Sequence, residues 1–145
     1  MTPSDVDAAG GTRVSPDAID SWLLSYGRAW QARDAIAFSE LFSPDAIYHW
    51  TPFREPQLGR QAIASAVSAA FSRQCDIQFK SRLLAGSSEP YVAHWSCEFT
   101  RVTSGRRVKV DGIFLLRFDD RGQCQEFREW WHSDESESGS ASSDV

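Results

Sequence analysis

Tyr91-Val92-Ala93-His94-Trp95-Ser96-Cys97-Glu98-Phe99-Thr100-Arg101-Val102 alternates strictly. Tyr91, Ala93, Trp95, Cys97 and Phe99 fall on one side, and Val92, His94, Ser96, Glu98 and Thr100 on the other. Successive side chains of a strand point to opposite faces, so this period of two predicts a long β-strand with one apolar face. The same period extends both ways along the chain. Ile77, Phe79 and Ser81 alternate with Gln78, Lys80 and Arg82, and Gly86-Ser87-Ser88 closes that strand. Ser104-Gly105 turns the chain into a strand over residues 107–118, and a turn at 119–122 leads into a last strand over 123–132. Short turns between long strands make an antiparallel meander.

Upstream the period is helical. Ser15 as N-cap, Pro16 in the first turn and Asp17 at the positive end of the dipole mark a helix start. Ile19, Trp22, Leu23, Tyr26, Ala29 and Trp30 then form one wide apolar stripe. A short second helix, capped by Asp34, is expected to turn Ile36, Phe38, Leu41 and Phe42 inward until Ser43-Pro44-Asp45 breaks it. A short strand at 46–51 and a loop with two prolines at 52–59 follow. A third helix at 60–72 carries Ile63, Val67, Ala70 and Phe71. Helices gathered on one face of an antiparallel sheet define an α+β domain. The opposite face of the long strands is apolar enough to call for a cover, and a homodimer through the sheet is expected.

The chain has 145 residues, 41% of them hydrophobic, with six Trp and nine Phe, enough for one domain with a true core. The formal charge of −5 is not spread evenly. Lys plus Arg balance Asp plus Glu between Ser15 and His132, and the excess of acid sits outside, mostly in Asp134, Glu135, Glu137 and Asp144. A neutral body has no basic stripe to neutralise phosphates, which argues against nucleic acid. Residues 1–14 read as a loose polar arm, 15–132 as the domain, and 133–145 as a disordered, acidic, Ser-rich tail. Cys75, Cys97 and Cys124 are odd in number and widely spaced, so neither a zinc site nor a disulfide framework is expected. No apolar run reaches membrane-spanning length and no basic-then-apolar leader opens the chain, which reads as a cytoplasmic protein without a membrane segment.

The order of elements, with Leu41-Phe42-Ser43-Pro44-Asp45-Ala46, Gly59-Arg60-Gln61-Ala62-Ile63 and Phe127-Arg128-Glu129-Trp130-Trp131-His132, resembles the nuclear transport factor 2-like superfamily. Within it the chain is similar to the SnoaL-like polyketide cyclase and limonene-epoxide hydrolase branch, over roughly residues 17–132. The resemblance implies a cystatin-like, cone-like curved antiparallel sheet packed against three N-terminal helices. That scaffold serves isomerases, hydrolases, cyclases and transport factors, so the reaction must be argued from the site. The epoxide hydrolases use a Tyr and an Asn on the first strand, an Arg-x-Asp pair on a middle strand and an Asp on the last. Here Tyr48 matches the Tyr, while Trp50 stands in place of the Asn. Ser96 and Glu98 replace the Arg and Asp, and Glu129 takes the last-strand acid position. Phe114 stands where the steroid isomerases carry an oxyanion-hole Asp.

Glu129 shares a strand face with Phe127 and Trp131, and a carboxyl desolvated there has its pKa raised toward neutrality, as a general acid or base requires. Glu98 is the second candidate acid, and Tyr48 is the candidate orienting hydroxyl, because a buried Tyr must find a partner. Trp50, His94, Ser96, Phe114, Phe127, Trp131 and Tyr26 are the expected pocket residues. His94, Ser96 and Glu98 do not make a triad, because residues two apart on a strand face are separated by about 6–7 Å. The same spacing denies His94 and Glu98 a shared metal, and His49 and His132 read as surface or interface residues. With no phosphate loop, dinucleotide fingerprint or pyridoxal-type lysine, no cofactor is expected. The resulting expectation is an aromatic pocket for a small hydrophobic metabolite, with acid–base isomerisation, cyclisation or hydration as its chemistry. A non-catalytic dimeric binding module and a protein-interaction module are the alternatives.

Overall fold

The computed structural model describes residues 14–136, so the arm expected over 1–13 and the tail expected over 137–145 lie outside the described residues. Helix α1 (Pro16–Ala32) starts as its sequence dictates. The Ser15 hydroxyl accepts the Ala18 N–H at 3.1 Å, and Arg33 ends the helix in the left-handed region at φ 55°. Its stripe of Ile19, Trp22, Leu23, Tyr26, Ala29 and Trp30 is buried. Asp34 caps α2 (Ala35–Ser39) through the Ala37 N–H. That helix is shorter than expected and Ile36 is not inward: it is 66% exposed, while Phe38 and Phe42 are buried. Leu41 and Phe42 lie beyond the helix, so a helical wheel drawn through them misplaces Ile36.

Strand β1 (Phe42–His49) begins four residues earlier than the expected strand and takes in Ser43-Pro44-Asp45, the expected helix breaker. Between Phe42 and Ile47 its register against the last strand slips, and this irregular stretch accommodates a proline that has no N–H to donate. The expected loop contains a two-residue strand, β2 (Gln57–Leu58), antiparallel to β1. Helix α3 (Gly59–Phe71) then buries Ile63, Val67, Ala70 and Phe71 as anticipated.

The meander is β3 (Gln74–Ala85), β4 (Tyr91–Arg101), β5 (Arg107–Phe118) and β6 (Cys124–Ser136). Strand order is β2-β1-β6-β5-β4-β3 in one six-stranded sheet. The sheet is mixed rather than wholly antiparallel, because β1 runs parallel to β6. Strand β6 also runs four residues past the expected end. Ser133, Asp134, Glu135 and Ser136 pair with Val110, Lys109, Val108 and Arg107, and Arg101 holds Glu135 at 2.9 Å. These four residues are therefore sheet and not tail. The fold is α+β, with an open, curved sheet whose inner face is covered by the helices.

The core is a continuous aromatic stack. Tyr48 lies on Phe127 at 4.4 Å with planes 8° apart, Tyr26 lies on the same ring at 5.6 Å and 10°, and Phe114 meets Phe127 at 4.6 Å. Gly27 lets α1 settle onto β3, because a Cβ there would stand 2.9 Å from the Phe79 ring.

Candidate functional site

Alternation sorts the candidate residues onto two sides of the sheet. On β4 the odd positions Tyr91, Ala93, Trp95, Cys97 and Phe99 are buried under the helices. Their register partners on β5 include Phe114 and Gly112, and the next partners on β6 are Glu129 and Trp131. Glu129 therefore faces inward and Glu98, at an even position of β4, faces outward. Glu98 pairs with Arg107 at 3.6 Å and never meets Glu129, so the expected two-carboxylate site is not formed. His94 and Ser96 go outward with it, and the His94 Nε2 lies 3.0 Å from both carboxyl oxygens of Asp111.

Inside the sheet lies a cavity of about 210 Å³, bounded by Tyr26, Trp30, Trp50, Phe79, Trp95, Cys97, Glu129 and Trp131 among others. Tyr26, Trp50 and Trp131 are among these residues, whereas Phe114 and Phe127 are fully buried beneath the lining, in the stack that supports it. Trp95, Cys97 and Phe79 belong to the lining but were not foreseen there. Their inward direction was readable from the alternation, but alternation does not tell an inward residue that meets its neighbours from one that meets a void. At the edge of the cavity Arg101 lies over the Phe99 ring at 5.8 Å. A larger, open depression of about 570 Å³ includes His94, Phe53 and Trp130, and Glu129, Trp50 and Trp131 border both spaces.

Glu129 is only 5% exposed, and its partner is a tyrosine chain. The Tyr48 hydroxyl donates to Glu129 Oε2 at 3.2 Å, and the Tyr26 and Tyr48 hydroxyls are 3.2 Å apart. Either hydroxyl can be the donor between the two tyrosines: when Tyr48 donates to Glu129, Tyr26 donates to Tyr48, and a protonated Glu129 can itself donate to Tyr48 and turn the chain round. Burial raises the Glu129 pKa from 4.5 to about 8, and the Tyr48 hydrogen bond pulls back against that rise. Burial and then the charge of Glu129 push both tyrosines well above their ordinary value. At neutral pH Glu129 is therefore mostly a neutral acid at the wall of an apolar space. Cys97, in the same wall, has its thiol raised to about 12 by burial and stays a thiol. No cluster of three metal-ligating side chains occurs among the described residues.

This architecture is shared with solved structures of low sequence identity, which bear on fold alone. The Δ5-3-ketosteroid isomerase from Mycobacterium sp. is similar at TM-score 0.68 and 20% identity, covering 82% of this chain and 95% of that one. The epoxide hydrolase/cyclase-like enzyme SalBIII, of pyran ring formation in the polyether salinomycin, gives TM-score 0.66 and 17% identity over 80% and 88%. A computationally designed 17-OHP binder gives TM-score 0.70 and 15% identity over 81% and 96%. No curated protein matches the sequence. The family model of the SnoaL-like domain matches residues 23–127, and the chain belongs to the SnoaL-like branch of the nuclear transport factor 2-like superfamily.

Proposed function

We propose that the inner cavity binds a small, largely apolar molecule and that Glu129 relocates a proton on it. The observation that carries this reading is a single carboxyl with a pKa near 8 at the wall of an aromatic cavity, its other side held by Tyr48. A carboxyl in that range is a competent acid at neutral pH, and its ionised fraction is a stronger base than an ordinary carboxylate. One group that accepts a proton from carbon and returns it to another carbon of the same molecule suffices for an isomerisation. Hydration needs a second group to activate water, and with Glu98 on the outer face no second carboxyl lines this cavity among the described residues. Isomerisation therefore fits the lining best.

An apolar cavity of about 150 Å³ can hold benzene, so the 210 Å³ inside the sheet takes about one ring, and the rest of a longer molecule would lie outside it. The test is conversion of 3-cyclohexenone to 2-cyclohexenone, followed by ultraviolet absorbance. Wild-type protein is expected to accelerate it, and Glu129→Gln to lose about 100-fold or more of that acceleration while still binding the ring. Equal rates for the two proteins would sink the proton-transfer reading. Binding without turnover in either would support the second reading, a non-catalytic binding module. That reading is favoured by the thiol of the lining: burial raises Cys97 to about 12, so it offers Glu129 no acid–base partner near neutrality.

A further inference from the structure

Trp95 is 6% exposed, and its Nε1 is the one buried side-chain nitrogen or oxygen without a hydrogen-bond partner among the described residues. The large majority of buried polar side-chain atoms have a partner, so an orphan indole N–H in a cavity wall asks for one. Two other indole nitrogens of the lining are matched: Trp30 donates to the Gln74 side chain at 3.1 Å and Trp131 to the Trp50 carbonyl at 3.2 Å.

The position of this N–H is fixed by its neighbours. The Trp95 ring lies flat on Phe114 at 5.1 Å and on Phe79 at 5.9 Å, each with planes 11° apart. It reaches across β5 only because residue 112 is glycine. A Cβ at Gly112 would stand 2.9 Å from Trp95 Nε1 and 2.9 Å from the Trp131 Cβ. The N–H is thereby carried over β5 to the side of the cavity where Glu129 and Trp131 stand on β6, in register with Phe114 and Gly112.

We infer that Trp95 Nε1 is a ligand-binding donor, and that the molecule bound here carries a neutral acceptor oxygen, a carbonyl, ether or epoxide, on an otherwise apolar body of about one ring. This rests on the small-molecule reading of the cavity but not on catalysis by Glu129. The aromatic walls take the apolar body, and the N–H selects a ligand with oxygen over its hydrocarbon isostere. An indole donor cannot ionise, so this preference holds across the pH range in which Glu129 titrates.

The test uses two probes of nearly equal shape, cyclohexanone and methylenecyclohexane, with protein labelled with ¹⁵N at tryptophan. The Trp95 Nε1–H resonance, assigned in the wild type from its ring-to-backbone connectivities, is expected to move downfield with cyclohexanone and not with methylenecyclohexane. Trp95→Phe is expected to weaken cyclohexanone binding up to about tenfold and to leave methylenecyclohexane little changed, the loss of one hydrogen bond. Both probes binding with no selective shift would overturn the inference and leave the pocket standing. Neither probe entering the cavity would overturn both. The resonance shift is read in wild-type protein, so it decides the matter even if Trp95→Phe folds poorly. Loss of isomerase activity in Glu129→Gln is a separate readout that this inference does not move.

Discussion

Glu129 ties the stability of the protein to pH with a definite sign. The folded carboxyl keeps its proton up to about pH 8, whereas an unfolded one releases it near 4.5. Below 4.5 both states are protonated, and stability does not change with pH through this group. Between the two values unfolding releases a proton, so stability falls as pH rises, by about 1.4 kcal/mol per unit, and levels off above 8. Glu129→Gln has no proton to lose and is expected to flatten that slope, read as melting temperature from about pH 5 to about pH 9. A wild-type melting temperature that does not fall across this range would show that the carboxyl is ionised where it is buried. Glu129 itself was legible in the sequence, because Phe127 and Trp131 mark its strand face as apolar. Its partnership with Tyr48 and Tyr26 was not, since those residues are 81 and 22 positions apart and meet only through folding. Glu98 illustrates the opposite case: a one-residue step along a strand reverses the face, so a position matched by family likeness ended on the wrong side.

Among the elements, those with a clean period came out as read. Helix α1, helix α3 and the four meander strands follow directly from apolar spacing, with ends that differ by a few residues. The failures lie where local chemistry competes with pairing. Pro44 signals a break, but the register slip between Phe42 and Ile47 takes it into β1. Strand β2 is two residues long, too short to show any period. Polar residues 133–136 look like tail, yet they complete β6 because β5 offers them partners. Gly112 is the element-level feature with the largest mechanical consequence. A methyl group there would run into the Trp130 carbonyl oxygen and crowd the Trp95 indole. Gly112→Ala is expected to destabilise the protein by about 1–3 kcal/mol, measured by urea unfolding, with the loss of the close β5–β6 approach as the cause. A variant as stable as wild type would mean that β5 shifts to admit the methyl.

At the scale of the whole molecule, the outer sheet face is the surface left to explain. Trp130 stands there 45% exposed, next to Ile113 and, one strand further, His94. Helices cover the other face only, and an aromatic residue half in water on a broad sheet favours a second copy of the chain as its cover. A dimeric mass by light scattering at micromolar concentration is the expected result, and Trp130→Arg is expected to return the monomer. A monomeric wild type would remove this proposal without touching the inner cavity. The general layout of helices on one side and a sheet with two demanding faces was readable from alternation alone. The cavity was not, because its volume depends on how the Trp95, Phe79 and Trp50 rings tilt, and no sequence pattern records a tilt.

The tyrosine chain behind Glu129 is short and ends. Tyr48 meets both Glu129 and Tyr26, and Tyr26 is buried with no further hydrogen bond among the described residues. Among the described residues the tyrosines pass no proton onward, so Glu129 exchanges its proton through the inner cavity or through the open depression that it also borders. A ligand that fills the inner cavity closes the first of these exits and leaves the second. A deuteron lifted from such a ligand is therefore expected to wash out through the depression side.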